Sequence, residues 1–338
     1  MSIYPWQAEM WRQLNAMRHN LPHALLFQGR KGVGKLEFAR ALAQGLLCEK
    51  PEASGAGCGT CLACGWFAQG NHPDFRSVEP EALAEIEEDK PGKGKKPSHA
   101  IKIEQIRDLA ELVNLSTHRN GMRVILVHPA EAMNANAANA LLKTLEEPPP
   151  HTLILLVSHQ AQFLLPTVRS RCFKLAFPVP PLAQSMSWLS QQGVADPLPF
   201  LAQAGNAPLA ALELAGDELQ GARQAFLSQL ARPRALDPIA LAEKSEKLEL
   251  NNMVKWLQQW VYDLVGCRLS GLIRYQPDFA AEIQALAPRV LLPVALVYQK
   301  ELLEAQKFVS HPLNAQLFLE QLLLSYTQLM NLSESDHG

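Results

Sequence analysis

Residues 123–172 read RVILVHPAEAMNANAANALLKTLEEPPPHTLILLVSHQAQFLLPTVRSRC, and this stretch decides the fold. Val124–Val127 and Leu153–Val157 are short apolar runs of the kind that form buried strands. Between them Ala138, Leu141, Leu142 and Leu145 recur at i, i+3, i+4 and i+7, which is one face of a helix. Pro148-Pro149-Pro150 stops that helix, because proline lacks the N–H and its ring clashes with the preceding turn. Strand, helix and strand make a βαβ unit, which implies a parallel sheet covered on both faces. Ser170-Arg171-Cys172 is expected just past a strand end, where α/β folds keep their sites.

Working outward, further strands are predicted at Ala24–Phe27, Phe75–Val78 and residues 173–177. Helices are predicted at Trp6–Met17, Glu37–Leu47 and Ile101–Leu115, the last with Ile103, Ile106, Leu109 (or Ala110) and Val113 on one face. Five strands interleaved with helices read as a doubly wound α/β domain over residues 1–177. Pro178-Val179-Pro180-Pro181 is a stiff linker, and strand signals vanish beyond it. Residues 178–214 read as a small helical domain broken at Gly193, Pro197 and Gly205. Residues 215–338 read as a larger all-α domain, strongest at Met253–Leu269, Val290–Phe308 and Asn314–Met330. In the last helix Leu317, Phe318, Gln321, Leu322, Ser325 and Leu329 share a mostly apolar face, with Leu319, Leu323 and Leu324 on the other side. A helix this apolar all round is expected to be buried, with another chain as one candidate to cover it. Residues 80–100 are charged and rich in Pro and Gly, with Lys90, Lys93, Lys95 and Lys96 close together. They read as a solvated loop rather than a DNA-contacting arm.

The chain has 31 Lys and Arg against 33 Asp and Glu, so no global basic field draws it onto DNA unaided. The N-terminus, MSIYPWQAEMWRQL, lacks the basic and apolar regions of a signal peptide. No run approaches the roughly 18 apolar residues of a membrane span. A cytoplasmic protein is expected, and there six cysteines argue for metal or free thiols over disulfides.

Gly29 to Lys35, GRKGVGK, fits G-x-x-x-x-G-K between a strand and a helix. A working phosphate loop needs backbone amides, a lysine for the β/γ-phosphates and a Ser or Thr hydroxyl on Mg²⁺. Gly32, Gly34 and Lys35 meet the first two needs, and Leu36 fails the third. The end of the third strand should supply an Asp for the metal, and His128-Pro129 stands there instead. Imidazole suits that hard cation poorly, and Glu131 beyond the strand is a weak substitute. The loop is therefore expected not to hold Mg-ATP. It is either an empty relic, the preferred reading, or a vestigial site binding nucleotide through Gly32, Gly34 and Lys35. Cys48, Cys58, Cys61 and Cys64 are spaced C-x9-C-x2-C-x2-C, which fits a closed tetrahedral Zn²⁺ site with a structural role. An Fe–S cluster takes four cysteines too, but zinc is preferred on ligand set and context. Cys172 and Cys267 read as small buried hydrophobes.

ALLKTLEEPP (Ala140–Pro149) followed by SRC (Ser170–Cys172) resembles the clamp-loader branch of the AAA+ ATPases. The resemblance implies an α/β AAA+ domain with an inserted zinc module, a small helical lid and an all-α C-terminal collar. It also implies that Arg171 of the SRC motif reaches a neighbouring subunit's γ-phosphate; the alternative is a local ion pair of Arg171 with Glu146 or Glu147, and Arg169 is a second candidate. The relatives carry Asp-Glu where this chain has His128-Pro129, and an arginine where Pro208 ends Gly205-Asn206-Ala207-Pro208. The expected function is a non-hydrolysing clamp-loader subunit that assembles with delta and gamma/tau subunits and acts on a sliding clamp and primer–template DNA. Two rivals are weighed against it. An active ATP-hydrolysing motor subunit is supported by Gly29–Lys35 and opposed by Leu36 and His128-Pro129. A stand-alone zinc DNA-binding module is opposed by the near-neutral charge.

Overall fold

The computed structural model describes residues 3–83, 98–113, 121–246, 248–309 and 314–335. The chain divides into two compact units, residues 1–184 and 185–338. The lysines of the predicted solvated loop (Lys90, Lys93, Lys95 and Lys96) lie outside the described residues, as does Leu115 at the end of the helix predicted from Ile101.

In the first unit the elements are α1 (Ala8–Ala16), β1 (Ala24–Gln28), α2 (Lys35–Leu47), α3 (Leu62–Ala68), β2 (Phe75–Val78) and α4 (Ile103–Val113). They continue with β3 (Arg123–Val127), α5 (Ala135–Glu146), β4 (Thr152–Ser158), α6 (Pro166–Ser170) and β5 (Phe173–Ala176). The five strands form one parallel sheet in the order β2-β3-β4-β1-β5. β3 and β4 are buried along their whole length, which is why they read as unbroken apolar runs rather than alternating ones. α5 packs Ala138, Leu141 and Leu145 into a core with Ile125, Ile154, Leu156 and Ile106 of α4. Asn134 begins α5 by accepting a hydrogen bond from Ala137 N at 2.8 Å. β5 is an edge strand and mostly exposed; Phe173 is solvent-facing, whereas Phe177, just beyond it, packs on Phe27 and Phe38.

The second unit is all helical: α7 (Leu182–Gln191, which begins in the first unit), α8 (Pro197–Gln203), α9 (Pro208–Ala215), α10 (Leu219–Leu230) and α11 (Pro238–Lys244). α12 (Leu250–Ser270), α13 (Ala280–Leu286), α14 (Leu292–Phe308) and α15 (Ala315–Ser335) complete it. A small apolar cluster joins Leu189, Leu201 and Ala211, and a larger one is built from α10 to α15. α15 presents Leu319, Leu322, Leu323, Tyr326, Leu329 and Met330 to that core. This corrects the predicted phase of its apolar face: Leu317 and Leu324 are exposed, and the period-3.6 stripe is centred on the 319/323/326/330 line.

One buried charge pair fixes the turn after α12. Arg223 on α10 is 2% exposed and forks onto Asp278, donating at 2.8 and 3.1 Å, and also donates to Gln276. Removing one partner of a buried pair strands the other. Arg223→Met is expected to cost about 3 kcal/mol of stability, close to the loss typical of broken buried pairs. Urea unfolding followed through Trp256 and Trp260, both in this core, reads the shift. An unchanged midpoint would show the fork to be energetically neutral.

Candidate functional site

The glycine loop runs from the C-terminal end of β1 into α2. Gly34 sits at the helix N-cap with φ +87°, a left-handed conformation that suits glycine. A side chain there would collide with Gln7 and Tyr4. Those neighbours are part of the N-terminal segment, which closes over the loop. Trp6 Nε1 donates to Val33 O at 3.0 Å, and Gln7 Nε2 donates to Val33 O and Gly34 O at 3.0 and 2.8 Å. Lys35 is 2% exposed, and its ammonium donates to Gly29 O and Arg30 O at 2.7 and 2.6 Å. Burial lowers its pKa to about 8, against the pull of Glu131 and Glu37.

His128 follows β3 and His159 follows β4, so both stand on the same sheet edge as the glycine loop. Their Nε2 atoms are 3.1 Å apart. Burial lowers His128 to about 4 and His159 to about 3, and nearby Lys35 adds to both shifts. The pair is thus neutral at physiological pH. Glu131 lies in a 3₁₀ turn, and one of its oxygens accepts from the backbone amides of His159 and Gln160 at 2.9 and 3.2 Å. A cavity of about 930 Å³ opens beside the loop, walled in part by Leu36, Arg40, Arg76 and His128, with Glu79 its acidic residue. Where a hard cation would need a hydroxyl and a carboxylate, Leu36 and a neutral His128 face the space.

His159, and the covering of the loop by Trp6 and Gln7, were not foreseen in the sequence. His159 had a readable signal, since it directly follows the Leu153–Val157 run and its Ser158. The loop covering had none, because it joins residues some 26 positions apart.

The four predicted metal cysteines come together. Cys48 ends α2, Cys58 and Cys61 lie in the loop that follows, and Cys64 lies in the first turn of α3. Their sulfurs all lie within 4.8 Å of one another, with Cys48 Sγ 3.5 Å from Cys58 Sγ and 3.8 Å from Cys61 Sγ. Four thiolates at the usual Zn–S length stand about 3.8 Å apart around a tetrahedral ion, so the donor set fits such a metal. Backbone amides of Cys58 and Cys64 donate to Cys48 Sγ and Cys61 Sγ at 3.3 and 3.4 Å, which orients the thiolates. The loop is stitched to α1 and the following turn: Trp11 Nε1 donates to Ser54 O at 2.8 Å, and Arg18 donates to Gly55 O at 3.0 Å. His72 is buried, and its Nδ1 accepts from Asp74 N at 3.1 Å. Cys172 is buried as expected, whereas Cys267 is only half-buried.

Arg171 is not where strand order alone would set it. It caps the C-terminus of α6, directly before β5. Phe173 of β5 pairs with Leu25, near the start of β1. The glycine loop leaves the other end of β1, after Gln28. The three residue steps from Leu25 to Gln28 alone span roughly 10 Å along the strand. Arg171 and the chain's own glycine loop thus lie at opposite edges of one sheet. This corrects the expectation of a strand C-terminal position, because the SRC segment belongs to the crossover into β5 and not to the end of β4. Arg171 donates to Thr167 O at 3.0 Å and pairs with Glu146 at 2.6 Å.

A family model described as "DNA polymerase III, delta subunit" matches residues 6–181, and one described as "DNA polymerase III, delta subunit, C terminal" matches residues 218–328. The parallel sheet with its glycine loop, together with the first match, defines a clamp-loader subunit of the AAA+ class. The chain is 36% identical over 345 residues to DNA polymerase III subunit delta' of Pseudomonas aeruginosa, covering 97% of this chain and 98% of that one. It is 34% identical over 237 residues to the same subunit of Escherichia coli, covering 68% and 66%. It is 37% identical over 152 residues to the Escherichia coli tau subunit, covering 45% and 21%. The chain belongs to the delta-prime family of DNA polymerase III subunits. No helix among the described residues is long and apolar enough to cross a membrane.

Proposed function

We propose that this chain is a non-hydrolysing member of a cytoplasmic clamp loader that completes a neighbour's ATP site with Arg171. The observation that carries the reading is the separation of Arg171 from the chain's own glycine loop, on the opposite edge of the sheet. From there it cannot serve its own phosphates, and it is open to a neighbouring subunit. Arginine suits the role because it stays charged and offers a planar fork to phosphate oxygens. The rest of the SRC motif serves position: Cys172 is buried and donates to Val168 O at 3.2 Å, and Ser170 Oγ donates to Thr167 O at 3.0 Å.

Hydrolysis by the chain itself is opposed by Leu36 and His128-Pro129, which together leave Mg²⁺ without its usual protein oxygens. Losing metal stabilisation of the transition state costs several kcal/mol, hence several decades in rate. Gly32, Gly34 and Lys35 form a vestigial phosphate loop whose lysine is satisfied by backbone carbonyls.

The division into an AAA+ domain (1–177), a lid (178–214) and a collar (215–338) belongs to the same proposal, as does a structural Zn²⁺ on Cys48, Cys58, Cys61 and Cys64. When bound, that ion supplies cross-linking and no open position for chemistry. The partners proposed are the delta and gamma/tau subunits, with the sliding clamp and primer–template DNA met through the assembly. The test is ATP hydrolysis by the purified chain, expected at background, against the assembled complex, expected to turn over. Turnover by the chain alone would instead support a motor subunit, using Gly29–Lys35 and Glu131.

A further inference from the structure

Glu146 has no role in the function proposed so far, and its position is unfavourable by itself. It is the last residue of α5, where a carboxylate opposes the helix dipole. Glu147 follows it as the C-cap, so two acidic residues crowd the same negative helix end. Lys143 precedes them in the poorer i,i+4 order for a pair with Glu147.

The core explains what Glu146 meets. Leu145, just before it, and Val168 and Cys172, which flank the Arg171 turn, are buried in one apolar cluster. α5 and α6 are therefore held side by side, and Glu146 and Arg171 emerge next to each other from the same edge of the sheet. Glu146 Oε1 lies 2.6 Å from Arg171 Nη2, while Arg171 Nη1 donates to Thr167 O at 3.0 Å. The two acceptors grip the two terminal nitrogens of one guanidinium, which fixes the plane of its fork. Arginine has five N–H donors, so three remain for a phosphate after these two contacts.

We propose that Glu146 is a positioning residue for Arg171. It orders the guanidinium in advance, so that a long, rotamer-rich side chain reaches the neighbour's phosphate without first losing its freedom. This inference rests on Arg171 acting as a finger in trans. The pair is half-exposed, at 35% and 50%, so its contribution to overall stability is small, and an effect on turnover separates positioning from a structural role.

The experiment uses the complete complex reconstituted with five versions of this chain: wild type, Glu146→Ala, Glu146→Gln, Arg171→Ala and the double variant Glu146→Ala/Arg171→Ala. Single-turnover ATP hydrolysis is followed with DNA and clamp present over a range of ATP concentrations, so that kcat and KM at the neighbouring site are resolved separately. Glu146→Ala is expected to lower kcat at the neighbouring site about tenfold, the scale of one ordered long side chain. KM and the melting temperature should stay close to wild type. Glu146→Gln keeps an oxygen acceptor for the guanidinium and is expected to recover most of the rate. The double variant Glu146→Ala/Arg171→Ala should be no slower than Arg171→Ala alone. A wild-type kcat for Glu146→Ala, beside an impaired Arg171→Ala, would overturn the positioning role and leave the finger standing. A faster Glu146→Ala would overturn it too, by showing the carboxylate to be a restraint. An unimpaired Arg171→Ala would overturn the finger reading itself.

Discussion

A clamp-loader complex assembled with Arg171→Ala is expected to lose hydrolysis at the site next to this chain, by about a thousandfold or more, the range known for arginine fingers. The substitution removes a permanent positive charge and its fork of donors from the neighbour's transition state. Among the described residues the neighbouring arginine, Arg169, lies within α6, and its Nε is buried without a hydrogen-bond partner. Folding should be spared, because Arg171 is half-exposed and its pair with Glu146 is of the surface type. Total turnover of a complex with several ATP sites falls only by the share of the affected one, so single-turnover kinetics give the clearer reading. Arg171→Lys is expected to restore little, since an ammonium lacks the planar fork.

Removing the metal is expected to have the second large effect. One zinc per chain should be found in the purified protein, and Cys61→Ser should abolish it. Cys61 has two tasks, as a donor in the four-sulfur cluster and as the N-cap of α3. Serine can keep the cap through its hydroxyl but is a poor zinc donor, so the substitution frees the loop after α2 by losing the metal while leaving the start of α3 capped. Loss of a structural metal ranks among the largest single-site effects, about 3–5 kcal/mol. In a unit of this size that lowers the melting temperature by roughly 10 °C. Trp11 is the natural reporter, because its indole N–H donates to Ser54 O within the cysteine loop. A chelator should shift its fluorescence, and added Zn²⁺ should reverse the shift. Iron in place of zinc, or a full-length chain with no bound metal, would contradict the assignment.

The sheet was largely legible because β3 and β4 are buried on both faces and so carry no polar alternation to confuse the reading. The cysteine cluster was legible for a chemical reason: four thiolates, three of them at x2 spacing, match the donor set of a closed tetrahedral metal site. Arg171 was picked out as a residue but misplaced in space. A strand at residues 173–177 of a parallel sheet already implies that Arg171 enters at its N-terminal end, whereas the short α6 that carries Arg171 has too few residues to show a period. Pro166 at the first helical position was the available sign of that helix. The phase of α15 was misread because leucines occupy nearly every side of it, so the pattern could not select a face until α11, α12 and α14 were in place. The contact of Lys35 with its own loop and the pairing of His128 with His159 depend on tertiary placement, which periodicity does not encode.

We propose an ATPase fold that has kept an arginine for its neighbour while losing hydrolysis of its own. The most direct test is a single-turnover measurement, with the purified chain in large excess over Mg-ATP and phosphate release followed to long times. Release at the buffer rate, unchanged by Lys35→Ala, is the predicted result. Release above buffer that Lys35→Ala abolishes would contradict it, by showing that the glycine loop still works without a hydroxyl at Leu36 or an acid at His128.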